Sequence, residues 1–209
     1  RVIIDHLRAW PFSLGNFERT IPLWLQDRLI LPMTIKTELG FEKDIFFIPH
    51  HLAHASSAFL VSPFEEATIV TADGVGEWAT TTCGTGRGAK INIDRHLLYP
   101  DSLGLLYSAV TTHLGFAANR GEGKVMGLAA YGKPTYLDKF REIVCLKPDG
   151  SFCLDQRYFG FVRGRTMYSQ KFLKAFGPAR VPESELDERQ FDIAASLQKI
   201  TEEALIGIC

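Results

Sequence analysis

Several common features are missing from this 209-residue chain, and each absence removes a class of function. The four cysteines, Cys83, Cys145, Cys153 and Cys209, form no C-x-x-C pair, which argues against a zinc ribbon. Free thiols in a reducing compartment are the expectation. No apolar run approaches membrane-spanning length and no signal-peptide pattern precedes the first motif, so a cytoplasmic protein without a membrane partner is expected. Net charge is −1, which leaves no broad basic field for nucleic acid. Any phosphate must be held by a local site. There is no internal repeat and no low-complexity segment.

What is present suits a soluble globular protein of one large or two small domains, with 46% hydrophobic and 22% charged residues. The chain opens at Arg1 and stops inside an apolar helical pattern at Ile208-Cys209, with no C-cap glycine, basic last turn or following proline. Both ends are therefore expected to be cut from something longer.

Residues 1–40, broken by Pro11, Pro22 and Pro32, read as short helices and loops. The run Asp44-Ile-Phe-Phe-Ile-Pro49 reads as a buried strand, and His51 to Val61 as a helix of small residues. Ala67 to Ala72 is β-branched and apolar, a strand leading directly into Asp73-Gly74-Val75-Gly76. Trp78–Thr82 and Ala89–Leu98 predict two more strands, with Gly84 to Gly88 as the turn between them, giving an antiparallel meander. Ser102 is a candidate N-cap for a helix whose buried stripe is Leu103, Leu106, Tyr107, Val110 and Leu114. Tyr136 to Val144 reads as helix, Pro148-Asp149-Gly150 as a hairpin turn, and residues 155–185 as a polar, irregular lid or insertion. Glu188 to Ile208 has the pattern of a long amphipathic helix.

Three features could carry chemistry. In Pro49-His-His-Leu-Ala-His54, a helix starting near His50 stacks His50 and His54 on one face, where two imidazoles can share a divalent metal. The glutamate that follows the first histidine in metalloproteases is replaced by His51, which weakens a hydrolytic reading. Such a pair is by itself more often an accident of surface or core. Asp73, at the predicted tip of a strand, adds a carboxylate, and a two-histidine, one-aspartate set suits iron, manganese or zinc. A plain tight turn at Asp73-Gly74 is the alternative.

Gly74, Val75 and Gly76 could bring backbone amides to a phosphate. They do not make a dinucleotide fingerprint, because a third glycine and a following helix are missing. Gly121-Glu122-Gly123-Lys124 lacks the spacer and hydroxyl of a phosphate loop. It presents one carboxylate and one ammonium at a helix start, where Lys124 could balance phosphate charge. A solvated loop is the competing reading. His51, His96 and His113 show no evident partners in the sequence.

Taken in order, His50-His-x-x-His54-Ala, Ser62-Pro-Phe64, Ala72-Asp-Gly-Val-Gly-Glu77, Tyr99-Pro-x-Ser-Leu-Gly104, Leu106-Tyr107 with Thr111 to Gly115, and Gly121-Glu-Gly-Lys-Val-Met-Gly-Leu-Ala129 with Tyr131-Gly132 form an ordered series. This series resembles the carbamoyltransferase family of nodulation protein U, cephem carbamoyltransferase and the aminoglycoside carbamoyltransferases. The likeness runs from about Phe47 to Pro134 and resumes weakly in the last helix.

The resemblance implies an α/β fold of mixed type, an actin-like ATPase (ASKHA, ribonuclease-H-like) lobe with a mixed sheet and flanking helices, truncated at both ends. It implies a catalytic metal, usually iron, on His50, His54 and Asp73, with His51 packing or supporting. It implies ATP held by Gly74, Val75, Gly76, Gly121, Gly123 and Lys124, and catalytic roles for Lys124 and Glu122. Carbamoyl phosphate is the implied co-substrate and a small hydroxylated molecule the implied acceptor, reached through a carbamoyl-adenylate. The layout implied is 1–40 linker and short helices, 41–134 core motifs, 135–187 helix, hairpin and irregular insertion, and 188–209 a helix leading to a nucleotide loop. A C-terminal domain of the same parent chain that handles carbamoyl phosphate is the implied partner, with a homodimer allowed and no nucleic acid or membrane. A hydrogenase-maturation-type carbamoyltransferase and a non-catalytic metal- or nucleotide-binding module of the same fold are the rivals.

Overall fold

A computed structural model of the chain describes residues 30–161 and 166–209. The described residues divide into two units, 30–48 in one and 49–161 with 166–209 in the other. In the first, α1 (Leu31–Leu39) carries Pro32 in its first turn and is closed by Gly40, whose φ of 59° gives a left-handed C-cap. The rest of the expected short helices and loops of residues 1–40 lies outside the described residues. The run 44–48 forms no strand, and Phe46 is 87% exposed. Its apolar residues satisfy the strand pattern, but no described strand pairs with them, and an unpaired ladder edge gains nothing from extension.

The second unit opens with α2 (His50–Phe59) and the meander β1 (Glu66–Gly76), β2 (Ala79–Arg87) and β3 (Lys90–Leu98). All three strands are antiparallel, so the sheet is not the mixed one expected. Ala55 and Phe59 of α2 pack on Ile69, with Ala67, Ile91 and Ile93 around them. The turn between β2 and β3 is Gly88-Ala89 alone, with Gly88 at positive φ. Gly84 and Gly86 lie within β2, contrary to the expected turn. They are glycine because of close approach: a Cβ on Gly86 would sit 2.6 Å from the Phe59 ring, and one on Gly84 would strike the Asn92 carbonyl.

Then come α3 (Leu103–His113), α4 (Glu122–Ala129), α5 (Leu137–Ile143), the hairpin β4 (Val144–Leu146) and β5 (Phe152–Leu154), a 3₁₀ turn (Gln156–Tyr158), α6 (Gln170–Phe176) and α7 (Glu188–Ile208). The Ser102 hydroxyl caps α3 by accepting from the Leu105 amide, and Leu103, Leu106, Val110 and Leu114 are buried as their spacing predicts. Asp187 and Gln190 form a reciprocal capping box at the start of α7. The buried Asp192 carboxylate on α7 accepts from the Lys133 amide and the Thr135 hydroxyl, fixing the segment after α4. Within the stretch 155–185, expected to be polar, the described Tyr158, Phe159, Phe172 and Phe176 enter the main core with Phe140 and Ile193. Among the described residues no helix is long and apolar enough to cross a membrane.

Candidate metal centre

His50 is the first residue of α2, and its N-cap, Pro49, offers no side-chain hydrogen bond. One turn on, His54 points the same way, and the two Nε2 atoms are 3.0 Å apart. Asp73 meets them from β1: its Oδ2 is 2.5 Å from His50 Nε2 and 3.7 Å from His54 Nε2. One ligand atom from each residue lies within 4.8 Å of the others.

Asp73 stands short of the strand tip, in an excursion of β1. Ala72 pairs with Thr81 and Gly76 with Ala79, so Asp73, Gly74 and Val75 face Thr80 alone. The bulge turns the aspartate out of the ladder towards α2. Burial by itself would raise the Asp73 carboxyl, but the Gly74 amide and His50 hold it below the usual carboxylate range.

The donor set fits a cation on its own chemistry. A single hydrogen on His50 Nε2 would have to serve both Asp73 and His54, whereas a metal accepts all three lone pairs. Ligand atoms bound at about 2.1 Å stand about 3.0–3.4 Å apart in octahedral or tetrahedral shells, a range that the His50–His54 separation of 3.0 Å meets. The side chains are 44%, 51% and 35% exposed for His50, His54 and Asp73, leaving an open side. An open position is what catalytic metal sites keep and structural ones close.

Three supports were not legible in the sequence. His51, expected to pack or support but with no partner named, is 5% exposed and bonded at both ring nitrogens, to the Thr71 hydroxyl at 2.6 Å and the Ala79 carbonyl at 2.9 Å. Ser102 donates to the Asp73 and Gly74 carbonyls at 3.1 and 2.7 Å while capping α3. Gly104 lies so close to this turn that a Cβ would stand 2.6 Å from the Gly74 nitrogen.

The glycine candidates divide. The Gly74 amide donates to Asp73 Oδ1 at 2.6 Å and is committed to the aspartate. Val75 is exposed. Gly76 clears the imidazoles, since a Cβ there would be 2.9 Å from His50 Cγ and His51 Cδ2. Gly121 packs against Phe116 and Ala117, while Gly123 is open to an approaching ligand. Lys124 sits 5.7 Å from the centre of the Phe116 ring. Glu122 accepts from the Ser108 hydroxyl and the Asn119 amide, so its carboxylate closes the loop before α4. These bonds outweigh its partial burial and keep it below the usual range. His113 is buried against Tyr168 and Phe172, a packing histidine as expected. A cavity of about 380 Å³ lined by Thr81, Cys83, His96 and Ser151 shares no residue with the His50–His54–Asp73 cluster.

These observations define a mixed α/β protein with an exposed cluster of two histidines and one aspartate. Residues 8–208 match the family described as the carbamoyltransferase N-terminus, and the chain belongs to that family. It is 44% identical over 218 residues to the uncharacterised protein sll1178 of Synechocystis, covering 100% of this chain and 35% of that protein. It is 39% identical over 132 residues to nodulation protein NolNO of Sinorhizobium fredii, covering 61% of this chain and 19% of the relative. With nodulation protein NolO of Bradyrhizobium diazoefficiens the identity is 38% over 96 residues, 45% of this chain and 16% of the relative. The chain thus spans about a third of the length of the first relative and under a fifth of the other two.

Proposed function

We propose that this chain is the metal- and nucleotide-binding part of an ATP-dependent carbamoyltransferase, with an actin-like ATPase lobe as its fold. Water hydrolyses carbamoyl phosphate to inorganic phosphate and carbamate, and a carbamate oxygen then attacks the α-phosphorus of ATP. Carbamoyl-adenylate forms and pyrophosphate leaves. A hydroxyl oxygen of a small sugar- or antibiotic-like acceptor then attacks the carbamoyl carbon, gives up its proton and releases AMP.

The observation that carries this reading is the convergence of His50, His54 and Asp73 within 4.8 Å on an open face, in a chain of this family. These residues would hold the metal, with iron favoured and manganese or zinc as alternates for such a mixed nitrogen and oxygen set. When bound, the metal supplies Lewis-acid polarisation and a template for phosphate oxygens. Lys124 offers its ammonium, and the open Gly123 its backbone, to phosphate charge at the start of α4. Glu122 keeps that loop in shape through Ser108 and Asn119. In this reading a further domain of the parent chain handles carbamoyl phosphate.

The test uses the intact protein, assayed for pyrophosphate release from ATP with and without carbamoyl phosphate. Release should require carbamoyl phosphate, and His54→Ala should lower metal content and abolish it. Release that survives in His54→Ala, or that ignores carbamoyl phosphate, overturns the proposal.

A further inference from the structure

The most completely bonded side chain near the cluster belongs to none of its three members. His51 lies between His50 and His54 in sequence, stands edge-on to both of their rings while its nitrogens reach into the sheet, and is buried where they are exposed. Its bonds have a fixed direction. The Ala79 carbonyl can only accept, so Nε2 of His51 carries a hydrogen and donates at 2.9 Å. In the neutral ring Nδ1 then holds a lone pair and accepts from the Thr71 hydroxyl at 2.6 Å. Thr71 has spent its hydrogen, so its oxygen accepts from the Thr82 hydroxyl at 2.7 Å. The chain Thr82 to Thr71 to His51 to Ala79 is satisfied at each link by one hydrogen.

The places this chain touches are informative. Thr71 lies two residues before Asp73 on β1, and Ala79 is the partner of Gly76, where the ladder resumes after the excursion. His51 therefore bonds β1 just before the segment that carries Asp73, and β2 opposite the residue where that segment ends. Its own backbone lies in the first turn of α2, which has no side-chain cap. Gly76 leaves room for the rings of His50 and His51 against the strand.

We propose that His51 is a positioning residue, and that its bonds to Thr71 and Ala79 set the spacing between the His50–His54 turn and Asp73. It touches neither metal nor substrate. The inference rests on reading His50, His54 and Asp73 as the metal ligands, and it adds that the ligand set is arranged before any ion arrives. Outer partners that orient a ligand set are commonly worth about 10–100-fold in metal affinity.

The experiment measures Mn(II) binding by titration of the intact, metal-free protein and of Thr71→Val and Thr71→Ser. Valine keeps the shape of threonine and removes the hydroxyl; serine keeps the hydroxyl. Thr71→Val should bind Mn(II) about tenfold or more weakly, and Thr71→Ser about as tightly as the parent. Thermal unfolding of the metal-free variants separates this from a packing role. A lower Tm with unchanged Mn(II) affinity in Thr71→Val overturns the proposal. If the unmodified protein binds no Mn(II), Fe(II) or Zn(II), the metal reading fails by itself, and the clamp is then judged on ¹⁵N-histidine spectra. Ring signals of His50 and His54 that move in Thr71→Val and stay in Thr71→Ser uphold the clamp; signals that stay in both overturn it.

Discussion

Gly76 lies under the His50 imidazole, and the ring occupies the space a Cβ would need. Two residues earlier Gly74 has open space at the same position. The two glycines flank Val75 just after Asp73, yet only one of them is required by packing. Gly76→Ala should therefore displace the His50 and His51 rings and cost about 1–3 kcal/mol, as forced overpacking does. It should also weaken Mn(II) binding. Gly74→Ala should leave stability and binding near the parent. Urea unfolding and metal titration of both variants check this, and equal behaviour of the two would contradict the packing.

Ser102 joins two jobs in one hydroxyl, accepting from the Leu105 amide and donating to the Asp73 and Gly74 carbonyls. Ser102→Ala should lose about 0.5–2 kcal/mol of stability, the usual cost of an N-cap. It should lower metal affinity as well, because the aspartate backbone loses its anchor. A stability loss with unchanged affinity would show that the anchor is not needed to hold the acid.

His113 is 1% exposed, and burial, aided by the nearby Arg189 charge, lowers its pKa to about 4. In the unfolded chain the ring titrates near 6.5, so the unfolded state takes up the proton first as pH falls. The stabilisation is complete above about pH 6.5 and is lost progressively down to about pH 4. A shift of this size corresponds to about 3 kcal/mol. Tm measured from pH 8 to 4 should fall through this window, and His113→Leu should flatten that part of the slope. An unchanged slope in the variant would exclude His113 as its source.

Helices with a full periodic stripe were legible in the sequence. Residues 188–208 show their pattern over nearly six turns, and Ser102 announces the start of α3 as a cap. The meander was legible from β-branched runs, but the position of its second turn was not. Gly84 and Gly86 look like turn residues, while in fact they admit Asn92 and the Phe59 ring, and only the tertiary neighbours reveal which use a glycine serves. Phe46 to Ile48 misled for the opposite reason, since an apolar run specifies burial but not its partner.

At the site, the i, i+4 spacing placed His50 and His54 together, because a helix face is a local property. The approach of Asp73 rests on a bulge, which periodicity does not encode. The partners of His51 lie 20 and 28 residues away, and nothing in a local window points to them.

The anchoring of Asp73 by Ser102 also says where the chain can tolerate extra residues. Between β3 and Ser102 only residues 99–101 intervene, and the Asp101 carbonyl accepts from the buried Thr80 hydroxyl opposite the excursion. An inserted residue in that connection would push the start of α3 off the aspartate, so its length is a fixed spacer. The Gly88-Ala89 turn at the other end of β3 is tied only to the Glu65 carbonyl among the described residues, and is the place where insertions can accumulate without reaching the His50–His54–Asp73 cluster.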